Sequence, residues 1–301
     1  MRLATFNILH GRASDGSHAT ADDLVEACTS LQADVLCLQE VDRGQVRSGA
    51  IDQTAVVADA MGAAAWRFQP ALIGEPGGAW RVADDGDDSG GAAPSSASLG
   101  GSAGSAGSAG SAGYGVGLIS RWPVTGWRVL RLAAARVRSP VYVPGQRAVI
   151  LLADEPRVAL IAEVDTPTGP LAVATTHLSF VPGWNLVQLR RVTRYLADRN
   201  RPCVLVGDLN VPGPFPRWAS GWRSLARLPT FPADRPMLQI DHLLAHGAVP
   251  EVAAVEARRL PVSDHRAIVV TLGPSGPASG GLGPSGPASG GLGPSGPASR
   301  V

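Results

Sequence analysis

The sequence predicts an α/β protein whose strands form two sheets packed face to face, with helices on the outside. Short β-rich runs recur along the chain, and helical patterns separate only some of them. Neighbouring runs with no helix between them imply hairpins and antiparallel pairing. A simple doubly wound parallel sheet is disfavoured by such hairpins, whereas two packed sheets accommodate hairpins and crossovers together.

The β-rich runs cover residues 3–9, 35–39, 66–72, 115–120, 149–152, 158–165, 171–178, 203–207, 239–245 and 267–272. Those between 149 and 178 follow one another without a helix. A helix is expected over 21–31, where Thr20 is the N-cap and Asp23 completes a capping box. A second is expected over 185–198, where Leu186, Leu189, Val192 and Leu196 form an apolar stripe, and a third over 53–61.

Two stretches lack the apolar residues needed to offset chain entropy. Residues 100–113 read GGSAGSAGSAGSAG, and from Gly273 the decapeptide GPSGPASGGL repeats to the C-terminus. The expected organisation is one catalytic domain over 1–272, with a flexible small-residue insertion at about 84–113, and a disordered tail over 273–301. An insertion in a surface connection costs little loop entropy.

The net charge of +1 is far from the basic balance of a dedicated nucleic-acid binder. Every basic residue other than histidine is Arg, which removes a P-loop lysine and any lysine-nucleophile mechanism. The three cysteines, Cys28, Cys37 and Cys203, are an odd set that reads as reduced. With no basic leader and no apolar run approaching membrane-spanning length, a cytoplasmic, soluble monomer is expected.

Polar residues that strand propensity does not explain stand at the ends of the runs: Asn7, Glu40, His177, Asp208 with Asn210, Asp241, and Asp264 with His265. Glu40 follows a mostly apolar strand, where a carboxylate needs a partner or a hard cation, although a surface Glu just past a strand is the plainer alternative. In GDLN, alternation puts Asp208 and Asn210 on one side; an Asx turn would explain them as well. An Asp set against His265 would fix its tautomer and prepare it for acid, base or electrostatic work. His242 faces away from Asp241 and reads as structural. The G-x-S-x-G match at 100–104 lies in the repeat, the acidic 84–88 stretch lacks the later Glu of a calcium loop, and no ligand spacing fits zinc.

In order along the chain, the motifs TFNI, LQE, THLS, GDLN, IDH and SDH resemble those of the endonuclease/exonuclease/phosphatase superfamily, the DNase I-like group that includes abasic-site endonucleases, neutral sphingomyelinases and inositol polyphosphate 5-phosphatases. The resemblance implies a four-layer αββα sandwich with one mouth at a sheet edge, and a phosphoesterase that uses Mg²⁺, with Mn²⁺ able to substitute. It implies Glu40 as the principal metal ligand with Asn7 beside it, Asp264 orienting the site or binding a second metal, and Asp208 activating water. Asn210, His177 and His265 would contact the phosphate, and Asp241 would pair with His265. Either Asp208 or His265 would serve as the base, with Asp208 preferred because it is already ionised at neutral pH. Some members carry a carboxylate, just before the strand matching 115–120, that supports the THLS histidine; here only Tyr114 and glycines stand there, so a different environment is expected for His177.

Arg43 and Arg47 are candidate phosphate contacts, although a surface role is the plainer reading for each. The substrate is expected to be a small or lipid-derived phosphate ester; a Mg²⁺-dependent nuclease acting on DNA or RNA is the alternative, and a catalytically silent binding module of the same fold is the reading from another class. An extended basic groove would favour polynucleotide, and a closed pocket a small ester.

Overall fold

A computed structural model describes residues 1–13, 16–92, 111–143, 148–199 and 201–273. In chain order the elements are β1 (Arg2–Asn7), α1 (Ala21–Ser30), β2 (Val35–Arg43), α2 (Gln53–Met61), β3 (Ala65–Ile73), β4 (Arg81–Val82), β5 (Ser89–Ala92), β6 (Gly113–Ser120), β7 (Val124–Leu132), β8 (Arg138–Val143), β9 (Ala148–Ala153), β10 (Arg157–Thr166), β11 (Gly169–His177), α3 (Trp184–Ala197), β12 (Cys203–Asp208), α4 (Phe215–Ser220), β13 (Arg223–Ser224), β14 (Asp241–His246), β15 (Glu251–Arg258) and β16 (Ala267–Gly273).

Two mixed sheets form. One has the order β15-β16-β1-β2-β6-β3-β4, with β5 also on β3; the other runs β13-β14-β12-β11-β10-β7. Period-two alternation gives each central strand two apolar faces. Leu3, Val35, Cys37 and Leu118 from the first sheet meet Leu160, Val173, Val204 and Leu243 from the second in the inter-sheet core. Phe6, Leu36 and Leu38 face the other way, onto Leu24 and Cys28 of α1 and Val57 of α2. Ala174 and Leu205 do the same on the second sheet, onto Leu189, Val192 and Leu196 of α3. The result is a four-layer αββα sandwich.

The helices start and stop where local chemistry directs. Thr20 and Asp23 form the expected capping box on α1, and Asp52 caps α2, which ends at Gly62 in the left-handed region. α3 begins at Trp184, one residue before the start expected for the helix over 185–198. All three cysteines are buried and free, with burial pushing Cys28 and Cys37 up to about 12 and Cys203 up to about 11.

Several elements differ from expectation. The strand run at 149–152 does not join the meander that follows it; β9 pairs with β8 in a separate two-stranded ribbon. β15 reads EVAAVEAR, a composition that suits a helix, yet β16 holds it as an edge strand because Val252 and Val255 find the core there. Within the expected insertion at about 84–113, Ser89–Ala92 is a strand on β3 and Gly113 opens β6. Residues 93–110, which hold most of the small-residue repeat, lie outside the described residues, as does the tail from 274 onward, while Gly273 belongs to β16. Among the described residues no helix is long and apolar enough to cross a membrane.

Candidate active site

The two sheets bring their polar strand ends to one edge. β1 and β2 are parallel, so Asn7 and Glu40 emerge together. β11 and β12 are parallel with His177 directly opposite Asp208, and β14 is antiparallel to β12 with Asp241 opposite Asp208. A row of three polar side chains thus crosses the second sheet and faces two from the first. All of them are on the inter-sheet side, the parity of Leu3, Val173, Val204 and Leu243.

Glu40 reaches that side only through a defect. Leu36 and Leu38 face the helices, so strict alternation would send Glu40 there too. Instead β2 carries on past Glu40 with a bulge between Gln39 and Val41, after which Val41 takes the helix-facing place. Glu40 itself has φ 54, and the bulge re-aims its carboxylate into the mouth. Leu9, His10, Asn210 and Ser263, all at or beside the site, also have positive φ, a concentration of backbone strain of the kind that functional sites hold.

Asn7 ties the two sheets together. Its Nδ2 donates to Glu40 Oε1 and to Asp208 Oδ2, each at 3.0 Å, and its Oδ1 accepts from Leu9 N. Burial raises the Glu40 carboxyl, with the Asn7 bond and nearby His265 opposing. Asp208 is 2 % exposed; burial and Asp241 beside it raise its carboxyl to about 7, so it is not the fully ionised carboxylate expected from the sequence. The Asx turn is also present, since Asn210 N donates to Asp208 Oδ1 at 2.9 Å, so the plain and the functional readings of GDLN coexist. Gly207 before it has φ 143, and a Cβ there would run into the Thr176 carbonyl oxygen.

His265 Nδ1 lies 2.9 Å from Asp241 Oδ2. Burial alone would lower its pKa, but the carboxylates of Asp241, Asp208 and Asp264 outweigh it and bring it to about 10. These carboxylates favour the charged ring, whose Nε2 is 3.8 Å from Asp208 Oδ2 and 3.9 Å from Asp264 Oδ1. Ser263, which sequence reading passed over within SDH, donates its hydroxyl to Asn7 O at 2.6 Å and accepts from His265 N. Phe231 packs its ring against His265.

The environment of His177 does differ from the carboxylate-supported one. Arg157, 6 % exposed at the start of β10, places Nη1 3.2 Å from His177 Nδ1, while Asn210 Nδ2 is 3.0 Å from Nε2. Burial first, then the Arg157 charge, holds the imidazole well below its usual range. Arg157 carried no signal in the sequence, being one arginine ahead of an apolar run. His10 is a second residue that sequence reading missed: its Nδ1 is 3.9 Å from Glu40 Oε2, and burial with Arg47 nearby lowers it to about 3.

The two expected phosphate arginines part company. Arg43 is buried with its guanidinium on Ser111 O and over the Phe68 ring, so the fold does not bring it to the mouth. Arg47 does line a cavity of about 560 Å³ beside Glu40, but Asp42 grips its guanidinium with two bonds of 2.8 Å and Tyr114 lies beneath it. The same cavity is walled by His10, Trp80, Arg81, Tyr114, Asp154 and Glu155. His242 is structural as expected, bonded to Val211 O.

The donor set fits a hard divalent cation. Glu40 Oε2 lies 3.9 Å from His10 Nδ1, and Asp264 Oδ1 is buried without a hydrogen bond among the described residues; both are oxygen donors of the kind Mg²⁺ selects. Asp208, Asp241 and His265 also place ligand atoms within 4.8 Å of one another, although the Asp241–His265 bond already engages two of them.

Solved structures with the same architecture include an endonuclease/exonuclease/phosphatase from Beutenbergia cavernae (22% identity, 90% of this chain and 70% of that one, TM-score 0.57). Others are the Bacteroides thetaiotaomicron mannosyl-6-phosphatase Bt3783 (15%, 90% and 99%, TM-score 0.56) and the human Nocturnin catalytic domain with bound sulfate (16%, 90% and 93%, TM-score 0.54). At these identities the likeness is one of fold. No curated protein matches the chain. The model of the Endonuclease/Exonuclease/phosphatase family matches residues 4–265, from β1 to His265, and the chain therefore belongs to that family of hydrolases of phosphoester bonds.

Proposed function

We propose that the protein is a divalent-metal-dependent phosphoesterase acting on a small or lipid-derived ester. The observation that carries the reading is the row His177, Asp208 and Asp241 on one sheet, facing Asn7 and Glu40 on the other. Such completeness counts against a silent binding module. Glu40, with Asn7 and Asp264 beside it, would hold Mg²⁺ or Mn²⁺, which supplies a Lewis acid that offsets charge on the phosphoryl oxygens.

The protein's own groups divide the remaining work. Asp208, raised to about 7, takes the proton of the attacking water as its oxygen bonds to phosphorus; Asn7 and the Asn210 amide fix the carboxylate's orientation. His265, charged and held by Asp241, donates to a phosphoryl oxygen where negative charge builds. The ester oxygen departs and takes its proton from solvent.

The cavity beside Glu40 favours a small ester over a polymer. Its charged lining sets Arg47 and Arg81 against Glu40, Asp154 and Glu155, so it offers no positive track for a chain of phosphates. The test is a Mg²⁺ assay on inositol phosphates, sugar phosphates, sphingomyelin, single-stranded oligonucleotide, abasic duplex and plasmid, repeated from low to moderate salt. Turnover of a small ester is expected. Plasmid nicking at enzyme levels that leave every small ester intact, falling steeply with salt, would make the protein a nuclease.

A further inference from the structure

Both ring nitrogens of His177 face nitrogen: Arg157 Nη1 at Nδ1, and Asn210 Nδ2 at Nε2. A neutral imidazole has one donor and one acceptor, and a guanidinium only donates. The Asn210 Nδ2 amide likewise only donates, so a neutral ring can accept from one of the two alone; the charged guanidinium is the stronger donor, which puts the acceptor at Nδ1 and the ring proton on Nε2. Arg157 is buried, and its Nη1 is also held 3.2 Å from Glu155 Oε1.

On the far side of the ring, Nε2–H meets an amide nitrogen that already donates to Leu178 O at 2.9 Å. Two donors then converge, with Asp208 Oδ2 at 3.5 Å from Nε2 as the nearest carboxylate. That arrangement lacks an acceptor between the donors, the place a phosphoryl oxygen would take.

We propose that Arg157 is a positioning residue that locks His177 as the neutral Nε2–H tautomer, so that His177 and Asn210 present two converging donors to the substrate phosphate. The catalytic consequence rests on the phosphoesterase reading; the tautomer rests on hydrogen-bond chemistry alone. A carboxylate in place of Arg157 would reverse the ring, taking Nδ1–H and leaving Nε2 a donor only while the imidazole is charged. Arg157 makes Nε2 a donor in the uncharged ring, with the positive charge standing on the guanidinium instead of the imidazole.

The experiment is a long-range ¹H–¹⁵N correlation spectrum of the full chain labelled with ¹⁵N-histidine at neutral pH, with and without Mg²⁺. The His177 pattern is identified by its loss in His177→Gln. The Nε2-protonated pattern is expected in the unmodified protein. Arg157→Met should lose or mix it and lower kcat on a chromogenic phosphodiester by roughly ten- to a hundredfold, with KM little changed. Arg157→Lys, which keeps a charged N–H donor, should retain the pattern and restore much of the rate.

An Nδ1–H pattern in the unmodified protein, or an unchanged tautomer in folded Arg157→Met, overturns the proposal. If Arg157→Met does not fold, the unmodified and Arg157→Lys spectra decide. Absence of turnover on any phosphoester, with the tautomer as stated and lost in Arg157→Met, removes the phosphoesterase reading and leaves the assignment of Arg157 standing.

Discussion

Glu40 and Asp208, one from each sheet, accept hydrogen bonds from a single nitrogen, Asn7 Nδ2, both at 3.0 Å. The amide sits between two carboxylates that burial would otherwise set against each other. Asn7→Ala removes that shared donor and leaves one buried acceptor, Asp208 Oδ2, unsatisfied, a loss of about 1–3 kcal/mol in stability. Turnover should fall as well, by roughly two orders of magnitude, because Asp208 loses one of its two orienting bonds. Unchanged kcat in folded Asn7→Ala would separate the amide from catalysis.

EDTA should abolish activity, and Mg²⁺ or Mn²⁺ should restore it. Glu40→Gln keeps the shape of the bulged residue but removes the charge, so it should weaken Mg²⁺ binding in titration calorimetry and lower kcat strongly without unfolding the protein. Full activity in that variant would remove Glu40 from the metal site.

Asp208→Asn should lower kcat by roughly two to four orders of magnitude. In EDTA it should also make the protein more stable at pH 8. Asp208 is raised from 3.8 to about 7, so its folded form prefers the proton, and ionisation costs stability as pH climbs between those values. The asparagine has no such term, and each kcal/mol recovered should raise Tm by roughly 2–4 °C. Melting curves at pH 5 and pH 8 check it: an advantage that does not grow with pH would contradict the raised carboxyl.

His265, lifted from 6.5 to about 10, contributes stability that is complete below the lower value and is lost as pH rises through the upper. His265→Ala should therefore narrow the difference in Tm between pH 6 and pH 10. It should also reduce kcat by roughly two to four orders of magnitude. A pH dependence identical to that of the unmodified protein would show that His265 is not held as a cation.

Trp80→Ala tests the cavity beside Glu40. The indole is 37 % exposed on the cavity wall and away from the row of acid and base groups. Its loss should raise KM for a small ester several-fold and leave kcat close to that of the unmodified enzyme, as expected when uniform binding is removed. Equal loss in kcat and kcat/KM would place Trp80 against the reacting group instead.

Much of the site was legible because its residues break a pattern that is otherwise apolar. Asp208, His177 and Asp241 end or begin strands whose remaining residues fill the core, and the period of two assigns them to one face. The αββα layering was legible for the same reason: strands carrying apolar residues on both faces must be covered on both. Glu40 was identified for an incomplete reason, since it is not past the end of its strand but inside a bulge that reverses its direction. β15 was lost to its Ala and Glu composition, which only the edge of a sheet overrides.

The sequence by itself determined which side chains stand where a charge has no ordinary reason to be, because propensity and alternation are local and act over a few neighbours. Only the tertiary structure decided what each one meets. Arg43 and Arg47 lie four residues apart on adjoining segments, yet one is buried over Phe68 and the other lines the cavity, because strand pairing and packing choose the surroundings. Arg157 and His177 are twenty residues apart, and their bond exists because β10 and β11 pair as a hairpin that brings the start of one to the end of the other. Which nitrogen of His177 carries its proton follows from that contact, and hydrogen-bond partners across strands are set by register, which no local pattern encodes.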